Sequence, residues 1–75
     1  MRTLKEIAGE IYTKWNNVNY AAMPYLTAMR ELNSVDDMCM NESGRSVVRY
    51  FLSNASTFRG ADAKRIKDEL KSMLK

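Results

Sequence analysis

The stretch GRSVVRYFLSNASTFRGADAKRIKDELKSML, residues 44–74, decides the fold. It reads as an apolar, β-branched helix from Ser46 to Asn54, a polar elbow from Ser56 to Gly60, and a basic amphipathic helix from Asp62 to Leu74. In the basic helix Ala63, Ile66, Leu70, Met73 and Leu74 recur at steps of three and four. At about 100° per residue they share one stripe, which calls for burial. Lys64, Arg65, Lys67, Asp68, Lys71 and Lys75 fall off that stripe. The spacing predicts i,i+4 ion pairs Lys64–Asp68 and Arg65–Glu69, worth roughly 0.2–0.5 kcal/mol each. Asp62 in the first turn and Lys71 and Lys75 in the last suit the helix dipole. Gly60 supplies tolerance of positive φ at the elbow, and Phe58 beside it reads as an apolar plug between the two helices. The preceding helix puts Val47, Val48, Phe51, Leu52 and Ala55 on its apolar face and Arg45 and Arg49 one turn apart on its polar side. Tyr50 lies between the faces, suited to core or to contact surface.

Upstream, Thr3-Leu4-Lys5-Glu6 is a capping box: the threonine hydroxyl accepts from the Glu6 amide while the glutamate returns to the Thr3 amide. The helix it starts carries Leu4, Ile7, Ala8, Ile11, Tyr12 and Trp15 on one face. It stops near Asn16, because Asn16, Asn17 and Asn19 satisfy turn amides and compete with helix. Gly9 costs roughly 1 kcal/mol relative to alanine inside a helix and reads as room for a close backbone neighbour. A second helix runs to about Leu32, with Tyr25, Ala28, Met29 and Leu32 on one stripe and Ala21 and Ala22 small enough for a close crossing. Pro24 suits only a first turn, which leaves two readings: a regular helix from about Ala22, or a looser turn before it. Between Asn33 and Gly44 periodicity fades; Ser34 and Asp37 form a weak cap for a single turn through Met38 and Met40.

No segment sustains two-residue alternation, so no sheet is expected. The expected fold is all-α, a compact bundle of four main helices at residues 3–16, 20–33, 44–55 and 61–74, with room for a short fifth helical turn near 35–40. Residues 1–75 make one domain, close to the size at which a single core leaves only a few kcal/mol of net stability. Its expected core is Leu4, Ile7, Ile11, Trp15, Tyr25, Met29, Leu32, Val48, Phe51, Leu52, Ile66, Leu70 and Met73.

Inventory removes most chemistry. The chain has no histidine and one cysteine, Cys39. A Cys/His pair, a catalytic triad and a conventional zinc site are therefore excluded, and Cys39 reads as a buried or incidental thiol. A single cysteine also excludes an internally stapled secreted scaffold, and a reducing cytoplasm is the expected location. Asp36, Asp37, Asn41 and Glu42 lack the alternating ligands and central glycine of an EF-hand loop. No glycine-rich phosphate loop, signal pattern or apolar run of membrane-spanning length occurs. The expectation is no enzyme, no cofactor, no metal and no membrane partner, in a monomer or small homo-oligomer. Met38 and Met40 are left as a contact patch in the connection.

The net charge of +3 is unevenly placed. Up to Ser43 there are four basic and six acidic residues; from Gly44 there are eight basic and three acidic. A basic half suits an anionic partner, whether an acidic protein surface or nucleic acid. The bland alternative is a solvated lysine-rich face. The candidate partner-binding residues are Arg45, Arg49, Ser56, Thr57, Arg59, Lys64, Arg65, Lys67 and Lys71. A helix, a turn and a basic helix is the outline of a DNA-reading motif. Here, however, the elbow is longer than that motif's turn, and lysine stands where base reading favours Arg, Asn or Gln.

The elbow Tyr50-Phe51-Leu52-Ser53-Asn54-Ala55-Ser56-Thr57-Phe58-Arg59-Gly60 and the following Ile66-Lys67-Asp68-Glu69-Leu70-Lys71 resemble a family of small uncharacterised proteins carried by prophages and mobile elements of gut Firmicutes. Asn17-Val18-Asn19-Tyr20-Ala21-Ala22 and Pro24-Tyr25-Leu26 are similar too, so the likeness covers most of the chain. It brings no activity and no functional residues. It implies a cytoplasmic accessory protein of a mobile element, a class that includes small regulators and inhibitors of host systems such as anti-CRISPR proteins. The leading expectation is a noncatalytic module that binds a protein partner through the elbow and basic helix; the alternative is a DNA- or RNA-binding regulator using the same surface.

Overall fold

Thr3 opens the first helix as its spacing predicts. Its hydroxyl accepts from the Glu6 amide at 3.1 Å, and the Glu6 carboxylate accepts from the Thr3 amide at 3.0 Å. A computed structural model describes residues 2–15, 17–39 and 42–74. Asn16, Met40, Asn41, Lys75 and the Cys39 side chain lie outside the described residues, together with the expectations placed on them. The elements are α1 (Leu4–Lys14), α2 (Met23–Met29), β1 (Met38–Cys39), β2 (Glu42–Ser43), α3 (Gly44–Ser53) and α4 (Ala61–Met73).

The small all-α bundle expected from the sequence is present, with α2 packed on α3 and α1 packed on both α2 and α4. Two backbone bonds fix the start of α1. Its Leu4 and Lys5 amides, which have no partner within the helix, donate to the carbonyls of Asn33 and Leu32 at 3.1 and 3.0 Å. The chain leaving α2 therefore caps α1.

The second helix is shorter than the expected 20–33. Both readings of Pro24 meet here: the regular helix starts at Met23 with Ala22 as its N-cap and Pro24 in its first turn, and a looser turn precedes it, in which the Asn19 and Tyr20 carbonyls accept from the Ala22 and Met23 amides. After Met29 the chain continues through i,i+3 turns to Leu32. The short helix also shifts the buried face. Ala22, Leu26 and Met29 are buried, while Tyr25 and Ala28, expected on the core stripe, only pack against its edge.

The fifth helical turn near 35–40 is not formed. A turn closes from the Ser34 carbonyl to the Asp37 amide, with the Asp37 carboxylate accepting from the Asn33 and Ser34 amides. A two-residue antiparallel ladder follows, pairing Met38 with Ser43 and Cys39 with Glu42. Ser43 then caps α3, its hydroxyl accepting from the Ser46 amide at 3.2 Å. The ladder is too short to carry an alternating pattern, which is why the sequence gives no sign of it.

The core is apolar throughout, with no buried polar side chain among the described residues. Leu4, Ile7, Ile11, Trp15, Met29, Leu32, Val48, Phe51, Ile66, Leu70 and Met73 lie in it as expected, joined by Ala8, Leu26, Val35, Val47, Ala55, Phe58 and Ala63. Leu52, also expected there, is half-buried. Tyr50 resolves as surface, 52% exposed and stacked on Tyr25 at 5.4 Å between ring centroids. Phe58 is the plug its position suggests. Its ring stacks on Trp15 at 5.1 Å, and Trp15 meets Phe51 edge-on at 6.2 Å.

Gly9 corrects its expected role, because a Cβ built there meets nothing within 4 Å. Gly44 is the tight position: a Cβ would lie 2.6 Å from the Ser34 carbonyl oxygen and 2.7 Å from Val35 Cα. Those are backbone atoms, held by bonds from the Gly44 amide to the Asp37 carbonyl at 2.7 Å and from the Arg45 amide to the Val35 carbonyl at 2.9 Å. Gly9→Ala is expected to stabilise the fold by about 0.5–1 kcal/mol through helix propensity. Gly44→Ala is expected to destabilise it by about 1–3 kcal/mol through overpacking. Urea unfolding midpoints of the two variants, moving in opposite directions, check both.

Candidate functional site

The buried stripe of α4, Ala63, Ile66, Leu70 and Met73, divides its charged residues into two edges. One edge faces α1 and is neutralised there. Arg2 forks onto Glu69, with Nε to Oε2 at 3.2 Å and Nη2 to Oε1 at 2.5 Å, and reaches Glu10 with Nη1 at 2.6 Å. Arg65 donates to the other Glu10 oxygen at 2.5 Å and lies 3.4 Å from Asp62, whose second oxygen is 3.7 Å from Lys14 Nζ. The expected Arg65–Glu69 pair is thus replaced, because Glu10 and Arg2 on the α1 side take both partners. Three cations and three carboxylates close on one another in this network, bidentate at Arg2, which is the arrangement in which surface ion pairs gain most.

The other edge has no such neighbour. Phe58, Arg59, Gly60, Ala63, Lys64, Lys67, Asp68 and Lys71 line an open cleft of about 360 Å³ that runs from the elbow along α4. The elbow shapes it. Asn54 closes α3 with its side-chain amide on the Tyr50 carbonyl at 2.8 Å, and the Phe58 amide donates to the Ala55 carbonyl at 3.0 Å. Gly60 then turns the chain at φ 109°, a region that favours glycine, and caps α4. On the far side of the elbow the Asn19 side chain donates to the Asn54 carbonyl at 3.1 Å.

Lys67 is the ordered cation of the cleft. Its Nζ donates to the Phe58 carbonyl at 2.7 Å and lies 5.8 Å from the Phe58 ring centroid. Burial holds its pKa below that of a free lysine, and the like charges of Lys71 and Arg59 lower it further. Positive charge is therefore concentrated around Lys67. Four cations and one carboxylate line the cleft, while the remaining eight basic and eight acidic side chains of the sequence cancel. The cleft accordingly holds the whole formal excess of +3.

The nine expected binding residues separate into groups. Arg59, Lys64, Lys67 and Lys71 come together in the cleft. Arg65 is turned to Glu10. Arg45 is at the opposite end of α4, its guanidinium donating to the Leu74 carbonyl at 3.1 Å and lying 3.4 Å from Asp36. Arg49, Ser56 and Thr57 are exposed on α3 and the elbow, outside the cleft lining. Phe58, Gly60, Ala63 and Asp68 line the cleft without belonging to the expected set; Asp68 is the charged one, and its i,i+4 relation to Lys64 places it beside the lysines, with the pair present at 3.9 Å.

Among the described residues, no group of three His, Cys, Asp or Glu is placed to hold a metal ion, and no helix is long and apolar enough to cross a membrane. No family model, curated protein or solved structure matches the chain.

The α1–α4 network sets an acid response. Hydrogen bonds from Arg65 and Arg2 hold the Glu10 pKa down at about 2, and Arg2 also lowers that of Glu69. Both carboxylates are depressed, so their contribution is complete above the ordinary value of 4.5 and is lost as pH falls below it, for Glu10 toward 2. Arg2→Gln is expected to raise the pH midpoint of acid unfolding, read by far-ultraviolet circular dichroism, and to leave stability at pH 7 lowered as well.

Proposed function

We propose that this chain is a small noncatalytic accessory protein of a phage or mobile element, working in the cytoplasm by binding a protein partner through the Arg59–Lys71 cleft and so inhibiting or regulating a host system. The observation that carries the binding half of this reading is charge segregation: α1 neutralises one edge of α4, and the net charge is left on the other. Residues that merely kept the protein soluble would gain nothing from such sorting, since mixed signs serve solubility as well. The mobile-element setting is drawn from the resemblance of the elbow and α4 stretches. The absence of histidine supports the noncatalytic part.

Nucleic-acid binding uses the same cleft and is the reading to be set against it. Three of its four cations are lysines, which bind phosphate as point charges and do not read bases bidentately. Phe58, the aromatic residue in the lining, is buried and stacked on Trp15, so it offers no open face for a base.

Titration with mixed-sequence duplex DNA and with RNA at low and moderate salt, alongside affinity capture from host lysate, tests the reading. Capture of a protein by the wild-type chain and its loss in Lys64→Glu with Lys67→Glu is the expected result. Tight DNA or RNA binding that weakens by about 0.7–0.9 log units per neutralised phosphate for each tenfold rise in salt, and disappears in the same double variant, would overturn it.

A further inference from the structure

The cleft edge of α4 is not uniformly basic. Lys64, Lys67 and Lys71 stand at i, i+3 and i+7, a row about 10.5 Å long at the helical rise. Asp68 stands beside that row, one turn beyond Lys64. Its Oδ2 is 3.9 Å from Lys64 Nζ, beyond hydrogen-bond distance, with both side chains more than half exposed. So open a pair is screened and weak, which leaves both groups able to exchange partners.

A carboxylate at that place discriminates between anionic ligands. A phosphate backbone presents the same sign at every step, and one of its charges would face Asp68 and be repelled. A protein helix advances by the same rise as α4 and can vary its sign from residue to residue. It can set carboxylates one turn apart against the lysine row and a cation against Asp68. We infer that the cleft is built for an amphipathic helix of mixed charge, with Glu or Asp at one-turn spacing facing Lys64, Lys67 and Lys71 and an Arg or Lys facing Asp68. This inference rests on the protein-binding reading above and narrows it to a charge pattern.

Lys67 gives the helix an anchor. Its ammonium is fixed on the Phe58 carbonyl, so the rotamer is chosen before a partner arrives, and part of its hydration has already been given up. Preorganisation of this kind lowers the ordering cost of association. Lys64 and Lys71, by contrast, are exposed and settle on the partner as it docks.

Three probes test the inference at low salt by calorimetry, on the wild-type chain and on Asp68→Asn. The first is an alanine-based helical peptide with Glu at i, i+3 and i+7 and Arg at i+4, made in both sequence directions. The second replaces that Arg with Glu, and the third is mixed-sequence duplex DNA. Wild type is expected to bind one direction of the mixed-charge peptide about two- to fivefold more tightly than the all-acidic one, the range of an exposed ion pair. Asp68→Asn is expected to cancel or reverse that preference, and bound peptide is expected to raise the Lys67 pKa seen by side-chain NMR. All-acidic peptide binding wild type as tightly as the mixed peptide overturns the inference and leaves protein binding standing. Duplex DNA binding more tightly than either peptide overturns both. Silence of all three probes overturns the helix inference, and the lysate capture then judges the broader reading alone.

Discussion

Trp15 holding Phe58 is the contact on which the arrangement of the surface depends. The indole ends α1, the phenyl ring belongs to the elbow, and Phe51 from α3 closes against the indole edge. The end of α1 is thereby pinned to α3 and the elbow at one point, and aromatic packing of this geometry adds about 0.5–1.5 kcal/mol beyond burial. With the elbow fixed and Gly60 turning the chain, α4 has one way to lie. Its stripe from Ala63 to Met73 meets the core, and its two charged edges are committed to different surroundings.

Those surroundings separate the charges by function. Because the core holds no polar side chain among the described residues, all specificity inside it comes from shape, and all electrostatic organisation is at the surface. The edge of α4 nearest α1 becomes a clasp between two segments far apart in sequence, with Arg2 and Glu69 separated by 67 residues. The outer edge is left with a surplus that no neighbour answers. Arg45 shows the same economy at the other end of α4, where it satisfies carbonyls at the C-terminal end of the helix and is spent on structure.

What could be read from the sequence was what neighbours within four residues determine. Thr3 with Glu6 and the α4 stripe are local patterns with a physical cause close by, and both stand as expected. Leu26 went unread because a seven-residue helix flanked by i,i+3 turns does not hold one phase long enough to define a face. The i,i+4 spacing points Arg65 to Glu69, whereas its partner Glu10 is 55 residues distant, beyond any helical rule. The ladder at Met38–Ser43 depends on where Gly44 lodges against Ser34 and Val35, a packing fact with no local signature. Of the binding surface, the lysines were legible as charge; their separation from Arg45 and Arg65, and the presence of Asp68 among them, came only with the tertiary arrangement.

Trp15 is the chain's sole tryptophan, and Phe58 carries it on one contact and Lys67 on another. A charge settling on Lys67 therefore sits two contacts from the indole, close enough to perturb the polarity it senses. The molecule contains its own emission probe, so occupancy of the cleft can be followed by intrinsic fluorescence without a dye or a label.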